Sequence, residues 1–217
     1  MNVDGSLTLI GKATATDKAT FHGFTPIYER HFHGLRNSPL KLLEVGVYEG
    51  SSMKMWEEYF PQADLYGIDI TWKYLKHSFS DRVRLGLANQ AAPEEMLRLF
   101  QTWKIAPESL DICIDDGGHR MSQQNRTIGI CWPFLKSGGA FVIEDLHTAF
   151  PELIGVHAHL KQYAGHIDEH PTSIMRLQQT MLGVPEQFPG VPVNEVRYVS
   201  LYSHVPTKSF TCVVEKM

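Results

Sequence analysis

A chain of 217 residues, 43% hydrophobic with a formal net charge of −4, is long enough to bury the core of one domain. It carries no block of basic residues that would read as a nucleic-acid footprint. Cys113, Cys131 and Cys212 are odd in number and far apart, which excludes a disulfide or zinc framework and fits buried thiols in a reducing, cytoplasmic compartment. No signal pattern opens the chain and no apolar run approaches the ~18 residues of a membrane span, so no membrane partner is expected.

Residues 1–38 are polar and mixed, and read as an N-terminal cap on a domain over 39–217. Phe24, Ile27, Tyr28, His31 and Phe32 recur at helical spacing there. His22, His31 and His33 resemble a ligand cluster, but their spacing is loose and surface histidines are common. Leu40–Gly46 predicts the first strand, running into a small-residue turn with Gly50, Ser51 and Ser52. Met53, Trp56 and Phe60 then recur as one helix face. A strand, a glycine turn and a helix open a nucleotide-binding βαβ unit, although any tight turn of this kind favours glycine. The next strand, Asp64–Ile70, carries Asp69 at its end, roughly twenty residues past the glycine turn, where an acid accepts from both hydroxyls of a ribose.

A weaker strand over 82–87 ends near Asn89 and Gln90, and an amphipathic helix follows with Met96, Leu97, Leu99, Phe100 and Trp103 as its apolar stripe. Leu110–Ile114 reads as a strand buried on both faces. A helix is expected over 121–135, closed by Lys136-Ser137-Gly138-Gly139, and a strand over 140–143. Residues 148–192, rich in histidine and ending in prolines, stand where an α/β enzyme places a substrate lid; a bland connecting layer fits equally. Two last strands, 196–202 and 210–215, are joined too closely for a parallel crossover and form an antiparallel hairpin.

Chemistry concentrates where two of these strands end. The first breaks into Asp115-Asp116-Gly117-Gly118-His119, the second into Glu144-Asp145-Leu146-His147. If the strands are neighbours, Asp116, Glu144 and Asp145 converge with His119 beside them at the carboxyl edge of the sheet. Three oxygen ligands suit Mg²⁺. The alternative is a strand-to-helix turn in which Asp caps the helix and Gly supplies unusual backbone angles.

Alternating strand and helix units with a terminal hairpin resemble the class I S-adenosylmethionine (SAM) methyltransferases from Leu40 to the end of the chain. Five such units and the hairpin imply a Rossmann-like, seven-stranded, mostly parallel sheet with helices on both faces. Thr16-Asp17-Lys18 with His22 and Tyr28, Leu43-Glu44-Val45-Gly46, Tyr66–Ile70, Ile114–His119 and Val142–Leu146 narrow the resemblance. Together they are similar to the metal-dependent sugar O-methyltransferases of the macrocin and mycinamicin type, and to the related cephalosporin-hydroxylase/rhamnosyl O-methyltransferase family.

That resemblance implies SAM and Mg²⁺ as cofactors and a glycoside as the small-molecule substrate, in natural-product tailoring. Glu44, Gly46, Gly50, Ser51 and Asp115 would shape the SAM pocket, Asp69 would hold the ribose, and Asn89 and Gln90 would stand beside the adenine. Asp116, Glu144 and Asp145 would ligate Mg²⁺, with His119 as general base and His147 as the next candidate. Tyr48 departs from the pattern where a further glycine is common, and Asn89 where an aspartate is usual. A catechol or other vicinal-oxygen acceptor, and a non-methylating SAM-binding relative, remain the rival readings. The oligomeric state is open.

Overall fold

The computed structural model describes residues 5–146, 191–204 and 209–217. Its centre is β1 (Lys41–Val45), in which Leu42 and Leu43 point to opposite faces and are both fully buried. The same pairing recurs in β4 (Leu110–Asp115) with Ile112 and Cys113, and in β5 (Leu135–Ile143) with Phe141 and Val142. Such strands need cover on both sides, which explains their continuous apolar runs. One face is covered by Met96 and Phe100 of α5 (Pro93–Thr102) and by Ile128 and Cys131 of α6 (Met121–Cys131). The other is covered by Met53 and Trp56 of α4 (Ser51–Tyr59) together with the N-terminal segment.

That segment folds as α1 (Ser6–Ala13), α2 (Asp17–Thr20) and α3 (Thr25–Phe32). Leu7, Phe24, Tyr28 and Phe32 belong to the same core as the sheet, so the expected helix near Phe24–Phe32 is present and its buried face is part of the domain interior.

The strand order is β3-β2-β1-β4-β5-β7-β6, with β2 spanning Asp64–Asp69, β3 Val83–Leu87, β6 Val196–His204 and β7 Ser209–Lys216. The pairs from β3 to β5 are parallel, while β7 is antiparallel to both β5 and β6. This is the expected seven-stranded class I arrangement. Chain order reverses between β1 and β4, and that switch point opens a crevice at the carboxyl ends of the strands.

Between β2 and β3, residues 70–82 form a loop from which Trp72, Leu75 and Phe79 cover the sheet. One expectation is corrected. The helix expected to 135 ends at Cys131, and Lys136–Gly139 lies inside β5, not in a helix-closing turn. Leu135 already pairs with Leu110 of β4, and the ladder resumes only at Ile112 with Ala140, so residues 136–139 bulge out of the ladder, with Gly138 at φ 75° supplying the local irregularity that the two glycines signal. The lid expected over 148–192 falls, up to residue 190, outside the described residues, as does His147. Among the described residues no helix is long and apolar enough to cross a membrane. Cys113, Cys131 and Cys212 are free and buried.

Candidate functional site

The crevice is built by a close approach of β1 to the segment leaving β4. The Asp116 N–H donates to the Val45 carbonyl at 2.8 Å. At Gly46, with φ 95°, a Cβ atom would lie 1.9 Å from the Asp116 carbonyl oxygen. Only glycine fits there, for both backbone angle and space. The result is a cleft of about 440 Å³ lined by Gly46, Asp69, Asn89, Gln90, Asp116 and His119 among others. A smaller cavity of about 190 Å³ adjoins it, sharing Asp17, Gly46, Tyr48 and Asp116 and adding Ser51 and Ser52 at the start of α4.

Asp69, closing β2, faces the cleft and organises its rim. Its Oδ2 accepts from the Val47 and Tyr48 N–H groups at 2.8 Å each, and Oδ1 accepts from Thr71 N–H at 3.0 Å. Tyr48 sits at φ 48°, a left-handed conformation in which glycine costs nothing, and the Asp69 carboxylate helps hold it there. Gln90 is buried and braces the next turn: its amide donates to Thr127 Oγ1 at 2.9 Å and Asp115 Oδ1 at 3.2 Å, and its carbonyl accepts from Gly118 N–H. Asp115 lies beneath the turn and does not line the cleft; burial pushes its carboxyl up to about 6. Gly50 caps α4 in the left-handed region and packs against Leu75 and Phe79, away from the larger cleft.

The acids at the ends of β4 and β5 divide into two sets. Asp116, His119 and Asp145 bring one ligand atom each within 4.8 Å of one another. His119 Nε2 lies 3.6 Å from Asp145 Oδ2, and His22 Nδ1 lies 3.6 Å from Asp145 Oδ1, so two imidazoles flank one carboxylate. Glu144 is turned the other way: the chain leaves β5 at Ile143, and Asp145 adopts a left-handed backbone at φ 48°. Glu144 accepts from the Tyr28 hydroxyl and lies 2.9 Å from Lys18 Nζ. Lys18, with no solvent exposure, also contacts Asp116 and stands 3.4 Å from Glu44, whose other oxygen accepts from Ser52 Oγ. The expected trio of Asp116, Glu144 and Asp145 is therefore brought to one strand edge, but His119 takes the place of Glu144 in the tightest group.

Electrostatics follow from this burial. Burial opposes the charge on Lys18, yet Asp116, Glu144 and Glu44 around it hold its ammonium well above the ordinary lysine range. Burial raises Glu144 well above the usual carboxylate range, with Asp116 adding to the rise and Lys18 opposing it. Glu44 is pushed up to about 7 by burial, again against Lys18. Burial also raises Asp116, with Lys18 countering.

Lys18 and Asp17 are the residues that spacing and composition did not single out for a role. Their only signal was their place in the Thr16-Asp17-Lys18 string. His22, His31 and His33 do not assemble: His22 meets Ser209 and Asp145, whereas His31 meets Tyr202 and Glu215.

Both implied cofactors fit. The Gly46 approach, the acid ending β2 and the cleft volume suit an adenosine-containing ligand. The carboxylates of Asp116 and Asp145, with an imidazole alongside, are hard and borderline donors of the kind a divalent cation such as Mg²⁺ accepts.

No family model matches the chain. Among curated proteins it is 37% identical over 155 residues to the 8-demethyl-8-(2-methoxy-alpha-L-rhamnosyl)-tetracenomycin-C 3'-O-methyltransferase of Streptomyces olivaceus, covering 67% of this chain and 38% of that protein. It is 33% identical over 186 residues to the mycinamicin VI 2''-O-methyltransferase of Micromonospora griseorubida, covering 82% of this chain and 44% of that one. The chain is a homologue of natural-product sugar O-methyltransferases. It spans less than half the length of these two relatives. The structure superposes on the MycE methyltransferase of the mycinamycin pathway, solved in complex with Mg, SAH and mycinamycin VI, with a TM-score of 0.69 at 28% identity over 97% of this chain and 54% of that one. A SAM-dependent methyltransferase from Anabaena variabilis, 15% identical with a TM-score of 0.53, shares the fold.

Proposed function

We propose that this chain is a SAM- and Mg²⁺-dependent O-methyltransferase that methylates a sugar hydroxyl on a glycosylated natural product. The observation that carries the reading is the adjacency of two features at the switch point. A glycine-shaped cleft ending at Asp69 runs directly into the Asp116, His119 and Asp145 group. The homologues named above are sugar O-methyltransferases and support it.

In this reading Asp69 accepts from the ribose hydroxyls, with Asn89 and Gln90 on the adenine side. Gly46, Gly50, Ser51 and Glu44 shape the remainder of the cofactor site from the turn and strand that lead into α4. Asp116 and Asp145 hold the cation, and Glu144, expected from the resemblance as a third ligand, stands behind them on Tyr28 and Lys18. Bound SAM supplies an electrophilic methyl group and bound Mg²⁺ makes a neighbouring hydroxyl more acidic. His119, partly exposed at the cleft, takes the acceptor's proton on its imidazole, and Asp145 at 3.6 Å stabilises the imidazolium. The strand ends fix these groups relative to one another, so alignment of the acceptor is the protein's main contribution. Residues 1–38 cap the site in this reading. The net charge of −4 and three free thiols support a cytoplasmic enzyme of small glycosides, with self-association open and neither nucleic acid nor membrane as partner.

The test is turnover with SAM against a panel of deoxysugar glycosides and catechols, read by mass spectrometry as the gain of one methyl group. Methylation of a glycoside that EDTA abolishes and Mg²⁺ restores is expected. Full turnover in a metal-free preparation would remove the cation from the account. Methylation of catechols alone would reassign the acceptor.

A further inference from the structure

The smaller cavity beside the cleft has walls of opposite electrical character. On one side stands the first turn of α4, a nine-residue helix with Ser51 and Ser52 at its start, where backbone N–H groups lack partners within the helix. On the other stand carboxylates from three segments of the chain: Asp17, Glu49 and Asp116 all line the space. Two of these are already matched. Glu49 pairs with Lys76, and Asp116 is in contact with the buried Lys18 ammonium. Asp17 stands 4.0 Å from the His22 ring and feels the like charge of Asp116, and among the described residues no lysine or arginine pairs with it; two-thirds of its side chain is accessible. It also lines the larger cleft, so it stands where the two spaces join.

A space with a carboxylate at one end and a helix start at the other matches a zwitterionic α-amino acid: ammonium to the acid, carboxylate to the N–H groups. Continuity with the cleft places that amino acid at the far end of an adenosine-bearing ligand. We propose that Asp17, from the N-terminal segment, holds the α-ammonium of the cofactor's methionine arm. This rests on the SAM-binding reading above. It assigns to the N-terminal segment a direct contact with the cofactor in addition to its packing role. Asp17 is a selective element as well, since a ligand lacking the ammonium gains nothing from it.

The experiment is calorimetric binding of S-adenosylhomocysteine (SAH), which carries the amino-acid arm, and of methylthioadenosine, which lacks it, without metal or acceptor. Asp17→Asn is expected to weaken SAH at least tenfold while leaving methylthioadenosine within twofold. Asp17→Glu should recover part of the loss. Independently of any variant, the wild-type protein should bind the deaminated analogue of SAH at least tenfold more weakly than SAH. Unchanged SAH affinity in Asp17→Asn, equal weakening of both ligands, or equal wild-type affinity for SAH and its deaminated analogue would each overturn the assignment. Wild-type protein that binds neither SAH nor methylthioadenosine would instead remove the SAM reading on which the assignment rests.

Discussion

The Lys18 ammonium lies 2.9 Å from the Glu144 carboxylate, with 0% and 2% of the two side chains exposed, and the pair joins segments 126 residues apart in the chain. It fastens the N-terminal helices to the end of β5 at the point where the acids gather. An ion pair so buried gains little over an apolar pair of the same volume, but removing one partner strands the other.

Lys18→Met should therefore destabilise the protein by about 3–5 kcal/mol, the usual cost of leaving a buried charge uncompensated. Adding Glu144→Gln to Lys18→Met should recover only part of that loss, because Glu144's charge goes with it while Asp116 and Glu44 still face the vacated ammonium position. Urea unfolding of the two single variants and the double variant measures this. A loss under about 1 kcal/mol in Lys18→Met would mean that the pair is not a structural tie.

Glu44 gives a stability prediction with a definite sign. Burial raises its carboxyl from 4.5 to about 7, so between those values the folded state holds a proton that the unfolded state has released. The unfolded state binds fewer protons in that window, and stability from this group falls as pH rises from 4.5 to 7, staying constant beyond it. Relative to Glu44→Gln, the wild-type protein should lose stability of order 3 kcal/mol between pH 4 and pH 8, the equivalent of such a shift. Unfolding free energies of the two proteins that run parallel across that range would contradict the assignment.

The two clusters of acids differ in how far the chain's residues announce them. The strand ends at Asp69, Asp116 and Asp145 are visible as acids that terminate apolar runs, and they do face the crevice. The separation of Glu144 from Asp145 is less legible, because both lie past the end of β5 and Asp145 takes a left-handed backbone at φ 48° that a strand period does not announce. The partnership of Lys18 with Asp116 and Glu144 is not legible, because it spans 98 and 126 residues and depends on how three short helices dock. Gly138 and Gly139 look like a helix-closing turn; the chain does bulge there, but within a strand that has already begun at Leu135, because pairing with Leu110 starts it early.

His119 carries the chemistry in the proposed mechanism. His119→Ala should lower kcat by roughly 10²–10⁴-fold, the usual scale for loss of a general base, while leaving SAH affinity nearly unchanged. Steady-state kinetics beside calorimetry separate these effects. A variant with near-normal kcat would move the base elsewhere, with His147 the next residue to replace.

The cofactor cleft is the central claim, and Asp69 is its most direct handle, since its carboxylate faces the cleft while bracing Val47 and Tyr48. Calorimetric titration of SAH into the wild-type protein and into Asp69→Ala tests it without needing the acceptor. Saturable one-to-one binding is expected in the wild type, weakened by about 1–3 kcal/mol in the variant, the cost of taking a charged partner from ligand hydroxyls. Absence of SAH binding by the wild-type protein, or equal affinity in the two proteins, would contradict it.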